Sequence, residues 1–243
     1  MNNKFCLKRI FAFTLAETLI VIGVIGIVSA LTLPNLNSST GEKEKVAKVK
    51  KIYQNLTDAL GRAEAVYGPY SEWYVNISTT DYKKQAKRMG ERITEFMKVS
   101  KTCEQVTNSG CFTPGNVKNL NGSNGEQYNN ATSAYNFITA DGMSVRLSSV
   151  NSSQIVVDID GPNKGSYVLG KDVFLFNISE GFLVPFGNNV SFDSLLNANC
   201  ASGVGSFAAS WIIKYDNADY LKLDSTKKCP NGTTPTEENP SCK

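Results

Sequence analysis

The side chains in this sequence that could carry chemistry are carboxylates, lysines and thiols, because its 243 residues contain no histidine. That absence removes the commonest general base, the Ser-His and Cys-His nucleophile pairs and every zinc site built on imidazole. No spacing among the Ser, Cys and Lys residues suggests a catalytic set, so the sequence predicts a protein that is not an enzyme. Three groups of residues remain. The first is Glu17, the one charge between Phe13 and Leu33. A carboxylate in such a run costs about 2.5–3.5 kcal/mol on membrane-insertion scales and reads as functional. The second is Asp158-Ile159-Asp160-Gly161-Pro162-Asn163, with Asp172 further along. Hard oxygens at alternating positions on a tight loop suit Ca²⁺, so Asp158, Asp160 and Asn163 are candidate metal ligands. The same residues also make an ordinary strand end and turn. Beyond calcium no cofactor is expected.

The third group is the cysteines. Cys6 precedes the apolar run, and five follow it: Cys103, Cys111, Cys200, Cys229 and Cys242. Their pairing is formally open. The short local loops Cys103–Cys111 and Cys229–Cys242 are preferred, with Cys200 unpaired or buried. A bridge at Cys229–Cys242 would staple a Pro- and Gly-containing tail that has no apolar face of its own. No CxxC occurs, which argues against a zinc ribbon or a thioredoxin-type site.

These residues need elements to position them. From Phe13 to Leu33, a helix would cross a hydrocarbon layer roughly 30 Å thick. The leader Met1 to Ala12 holds Lys4, Lys8 and Arg9 and no acid; without those three, 22 basic residues balance 22 acidic ones. A formal charge of +3 is too small to indicate a nucleic-acid partner. Three readings of this N-terminus compete: a secretory signal cut near Val28-Ser29-Ala30, an uncleaved anchor, or a leader cut before the apolar helix. Glu17 favours the third, since a disposable signal gains nothing from a buried acid.

Ala12-Phe13-Thr14-Leu15-Ala16-Glu17, followed by the apolar run and Pro34, resembles the cleavage and methylation motif of type IV pilins and type II secretion pseudopilins. The resemblance implies that a prepilin peptidase cuts between Ala12 and Phe13 and methylates the new Phe13 amine. It implies that Glu17 is the acid retained by filament-forming subunits. The family usually has Gly before the cut; Ala12 keeps the small size. A C-terminal disulfide of the Cys229–Cys242 kind is common in that family. Physically, cleavage would create an ammonium one turn from Glu17, and parallel helices of stacked copies would pair Glu17 of one with the Phe13 amine of the next.

Pro34 is expected to kink or end the first helix, with a polar spacer from Asn35 to Thr40. Helical periodicity resumes over 42–67, where Val46, Val49, Tyr53, Leu56, Leu60, Ala63 and Tyr67 form an apolar stripe. Lys43, Lys45, Lys48, Lys50 and Lys51 lie on its other faces, as a solvated surface or as contacts to anionic headgroups. The positive-inside rule read on these lysines alone would favour the reverse orientation; the cysteines and Asn-rich loops favour a head outside. A second amphipathic helix is expected over 81–99 and a loop region over 107–136. Strands are expected at 135–139 and 144–147 about an Asp141-Gly142 turn, then at 155–159, 173–178 and 182–186. The segment 207–213 is buried, as helix or strand.

The expected fold class is α+β: a long N-terminal helix, half transmembrane and half amphipathic, packed on a small antiparallel sheet, pilin-like. Its parts are a leader (1–12), a transmembrane or filament-core helix (13–35), an amphipathic continuation (36–67) and a head (68–243). The expected function is a structural subunit of a type IV filament, with first place to a type II secretion pseudopilin assembling into a periplasmic pseudopilus. An adhesive or DNA-uptake minor pilin, and a secreted or anchored protein with an ordinary signal, are the alternatives. Expected partners are copies of itself and other pilin-like subunits, the prepilin peptidase, an inner-membrane assembly platform and the lipid bilayer. The expected location is the bacterial inner membrane, single-pass with the head outside, and then an extracytoplasmic filament.

Overall fold

The computed structural model describes residues 15–107, 109–129, 133–149 and 154–242, with the side chains of 29–40 outside the description. The leader, Ala12 and Phe13 lie outside the described residues. The chain divides into two units, Met1–Glu42 and Lys43–Lys243.

Helix α1 runs Leu15–Tyr67. It does not end at Pro34, and the expected spacer after Pro34 is helical too. One proline removes one amide donor and crowds one carbonyl, about 3 kcal/mol, a local loss within a helix of 53 residues. The membrane anchor is corrected as well. Among the described residues no helix is long and apolar enough to cross a membrane. The expected single-pass inner-membrane location is therefore withdrawn.

The second unit is α+β. Its main sheet has six antiparallel strands in the order β1-β4-β5-β6-β7-β8: β1 (Val99–Glu104), β4 (Ala134–Thr139), β5 (Ser144–Ser148), β6 (Gln154–Asp158), β7 (Val173–Ser179) and β8 (Phe182–Pro185). A hairpin of β2 (Asn116–Lys118) and β3 (Asn124–Gln127) stands apart. Strands β4 to β8 form the expected meander, and the turn before β5 places Gly142 at φ +86°. The expected second helix is shorter: α2 spans Tyr82–Thr94, capped by the Asp81 side chain. The chain after it forms edge strand β1, whose mostly exposed polar residues gave no alternating apolar signal. Two further helices are α3 (Phe192–Asn199) and α4 (Ala208–Tyr215), the second settling 207–213 as helix.

Because side chains alternate across a strand, the sheet has two buried faces. On one, Phe137, Val145, Leu147, Ile155, Val157, Phe174 and Phe176 pack with Val49, Ile52, Leu56, Leu60 and Ala63 of α1. On the other, Val156, Val173 and Leu175 pack under Phe112, Val117, Tyr128, Tyr167 and Leu169 beside the Cys103–Cys111 bridge. Both expected disulfides, Cys103–Cys111 and Cys229–Cys242, are closed, and Cys200 is free and buried. Both sheet edges are poor templates for another strand: β1 carries two register irregularities, and β8 is four residues long and ends in Pro185.

Candidate functional site

The assembly residues proposed from sequence fall on α1. Glu17 lies in its first turn, on an exposed surface. Every Leu, Ile and Val from Leu15 to Val28 is at least half exposed, from 50% at Val21 to 81% at Leu15. These residues surround the helix instead of forming one stripe, so no single face of a partner would cover them. Gly23 and Gly26 sit among them, and a Cβ at either would meet nothing within 4 Å. Their own chain therefore does not require glycine there. Pro34 lies in the same helix; Ala12 and Phe13 are outside the described residues.

The second set of candidate residues, the acidic loop after β6, is organised by lysines. Lys45 Nζ lies 2.8 Å from Asp172 Oδ1 and also donates to the Lys171 carbonyl at 2.9 Å. Lys48 Nζ lies 3.0 Å from Asp160 Oδ1 and 3.1 Å from Glu44 Oε1. Gly165 sits between the two loop acids at φ +65°: a Cβ there would come 2.6 Å from Asp160 Oδ2 and 3.2 Å from Asp172 Cγ. Only glycine fits both that backbone and that approach. Asp172 also receives Ser166 N at 2.9 Å. Burial pushes its carboxyl up, but the hydrogen bonds from Lys45 and Ser166 outweigh this and hold it below the usual value. Burial likewise lowers Lys48, and the hydrogen bonds to Asp160 and Glu44 raise it further than burial lowers it.

Each candidate calcium ligand already has a hydrogen-bond or ionic partner within the chain. Asp160 faces Lys48; Asp158 Oδ1 receives the backbone amides of Asp160 and Gly161, each at 3.2 Å; the Asn163 backbone N–H donates to Thr113 Oγ1 at 2.8 Å. Among the described residues no group of three or more His, Cys, Asp or Glu side chains could hold a metal ion.

Two more lysines complete the pattern. Lys50 Nζ is 2.8 Å from Asp216, and Lys51 Nζ is 2.9 Å from Asp141. Four lysines of one helical segment thus reach acids on three separate loops. Neither expectation for this cluster, solvated face or headgroup contact, anticipated that. The signal available was the placing of Lys45 and Lys48 directly beside the core positions Val46 and Val49. The partner acids are too far away in sequence to carry any pattern.

No family model matches the chain, and neither a curated protein nor a solved structure matches it.

Proposed function

We propose that the chain is a structural subunit of a filament of the type IV kind, held together by residues 15–28 packing among the same residues of neighbouring copies. The observation that carries this reading is the exposure of the apolar helix. Nine large aliphatic side chains at least half in water form a contiguous patch of the sort that marks a buried interface. At about 25 cal/mol per Å², covering even half of their area would drive association strongly. Strand addition is a poor alternative route, because both sheet edges are blunted. The two disulfides suit a fibre that works in oxidising surroundings.

In this reading Phe13 is the mature N-terminus after cleavage at Ala12–Phe13, and its amine meets Glu17 of an adjacent copy, setting the axial step. Pro34 stays inside the helical shaft. The second unit decorates the fibre and carries whatever it recognises. Among the branches we place the chain first with the type II secretion pseudopilins, on the strength of the N-terminal motif.

Mass spectrometry of the mature protein tests the processing: an N-methylated Phe13 is expected, whereas a start at Leu31 or an intact Met1 would refute it. Electron microscopy of fibres made by a Glu17→Ala variant tests the register. Fibre yield should fall sharply while the head remains folded, and normal fibres would count against the role given to Glu17.

A further inference from the structure

On the second face of the sheet three buried oxygens lack a hydrogen-bond partner. They are Asp158 Oδ2, Ser144 Oγ and Tyr167 Oη. Asp158 and Ser144 are wholly buried, and Tyr167 is 7% exposed. Ser144 and Asp158 are opposite each other in the β5–β6 register, so their side chains rise on the same face about 5 Å apart. Tyr167, in the loop before β7 at the unfavourable backbone angle of φ +50°, belongs to the same buried cluster as Val156 and Val173, which flank Asp158 on this face. A non-glycine residue held at positive φ with its hydroxyl unpaired in the interior loses twice, in strain and in desolvation.

The wholly buried Asp158 is set among further acids. Asp158, Asp160 and Asp172 lie along this loop, which also carries the exposed Lys164 and Lys171, while α1 supplies Lys45 and Lys48. Those two are taken by Asp172 and Asp160. Arg146, on this face, gives Nη1 to the Tyr128 carbonyl at 3.1 Å. Asp158 Oδ2, Ser144 Oγ and Tyr167 Oη are left without a hydrogen-bond partner.

We propose that Asp158 Oδ2, Ser144 Oγ and Tyr167 Oη form a site for a monovalent alkali cation, which closes the 158–172 loop that α1 grips. Hard oxygens, one carboxylate and two neutral hydroxyls match a singly charged hard ion better than a divalent one, which recruits more carboxylates. Residual coordination would come from water or nearby carbonyls. The site shares Asp158 with the calcium set expected from sequence but uses neither Asp160 nor Asn163, and it is independent of the filament reading.

The test is thermal unfolding of the full chain in detergent, above the titration range of Asp158, in sodium, potassium or choline chloride at equal ionic strength. Sodium or potassium should raise Tm by about 3–5 °C over choline, as one site at tenfold saturation or so would give. Ser144→Ala and Tyr167→Phe should each shrink that difference, and Asp158→Asn should abolish it. Equal Tm values in sodium and choline would overturn the proposal, as would a sodium effect that survives in Asp158→Asn. A larger shift with calcium chloride that Asp158→Asn also abolishes would overturn the monovalent assignment.

Discussion

Two stretches of α1 treat water in opposite ways. Residues 15–28 are apolar on every side, and their aliphatic side chains stay exposed. Residues 43–63 confine their large apolar side chains to one stripe, with Val49, Ile52, Leu56, Leu60 and Ala63 almost wholly buried and lysines beside it. The second stretch is satisfied within its own chain. The first is not: its aliphatic side chains are left in water. A helix that is apolar all round is a statement about a partner; an amphipathic one is a statement about its own fold.

The sharpest way to break this comparison is a matched pair of truncations. Leu56→Ala opens a cavity in the main core and should cost about 2–5 kcal/mol of stability, read by urea unfolding. Ile22→Ala removes as much apolar surface from an exposed position and should change unfolding of the head by under about 0.5 kcal/mol, while lowering fibre yield. If both variants destabilise the head alike, residues 15–28 are covered from within and the filament reading fails.

A second prediction concerns pH. Burial, with Asp172 and Asp160 nearby, pushes the Asp158 carboxyl up to about 7. The unfolded chain would release that proton near pH 4. Between those values the native state holds more protons than the unfolded one, so stability falls as pH rises from about 4 to about 7, by on the order of 4 kcal/mol, and then levels off. Asp172 has the opposite sign: its lowered value adds stability that is present above about pH 4 and lost in stronger acid. In choline buffer Asp158→Asn should flatten the upper slope and leave the acid limb, checked by urea titrations across the range. An unchanged upper slope in that variant would show that another group carries it.

The sequence disclosed those parts of the molecule whose signals are periodic. The stripe over 42–67 and the strands at 135–139, 144–147, 155–159, 173–178 and 182–186 follow from alternation at 3.6 or 2 residues, and they sit where expected within a residue or so. Local cysteine loops were legible because short loops close easily. Edge strand β1 was not, because an edge buries one residue in six and leaves no alternation to read. Helix α3 was hidden by its short length. The lysine–aspartate contacts were illegible for a different reason: Asp141, the pair Asp160 and Asp172, and Asp216 come from three loops distant in sequence, and only the folded chain brings each acid to its lysine. The acidic loop reads as a calcium site in sequence, where oxygens at alternating positions say nothing of a lysine arriving from 112 residues away.

The smallest effects test whether the lysines of the second stretch act as a clamp or as surface ornament. Lys45 meets an acid whose side chain is 2% exposed, whereas Lys50 and Lys51 meet acids that are 70% and 44% exposed. Removing Lys45 strands a buried carboxylate, so Lys45→Ala should cost about 2 kcal/mol, less than a fully buried pair because the lysine itself is partly in water. Lys50→Ala and Lys51→Ala break contacts that solvent already screens and should each cost under about 1 kcal/mol, shrinking further in salt. Double-mutant cycles with Asp172→Asn, Asp216→Asn and Asp141→Asn separate coupling from the stranded charge. Comparable coupling in all three pairs would mean that exposure does not grade these contacts. The second stretch of α1 would then be held to the head by charge as much as by its buried stripe.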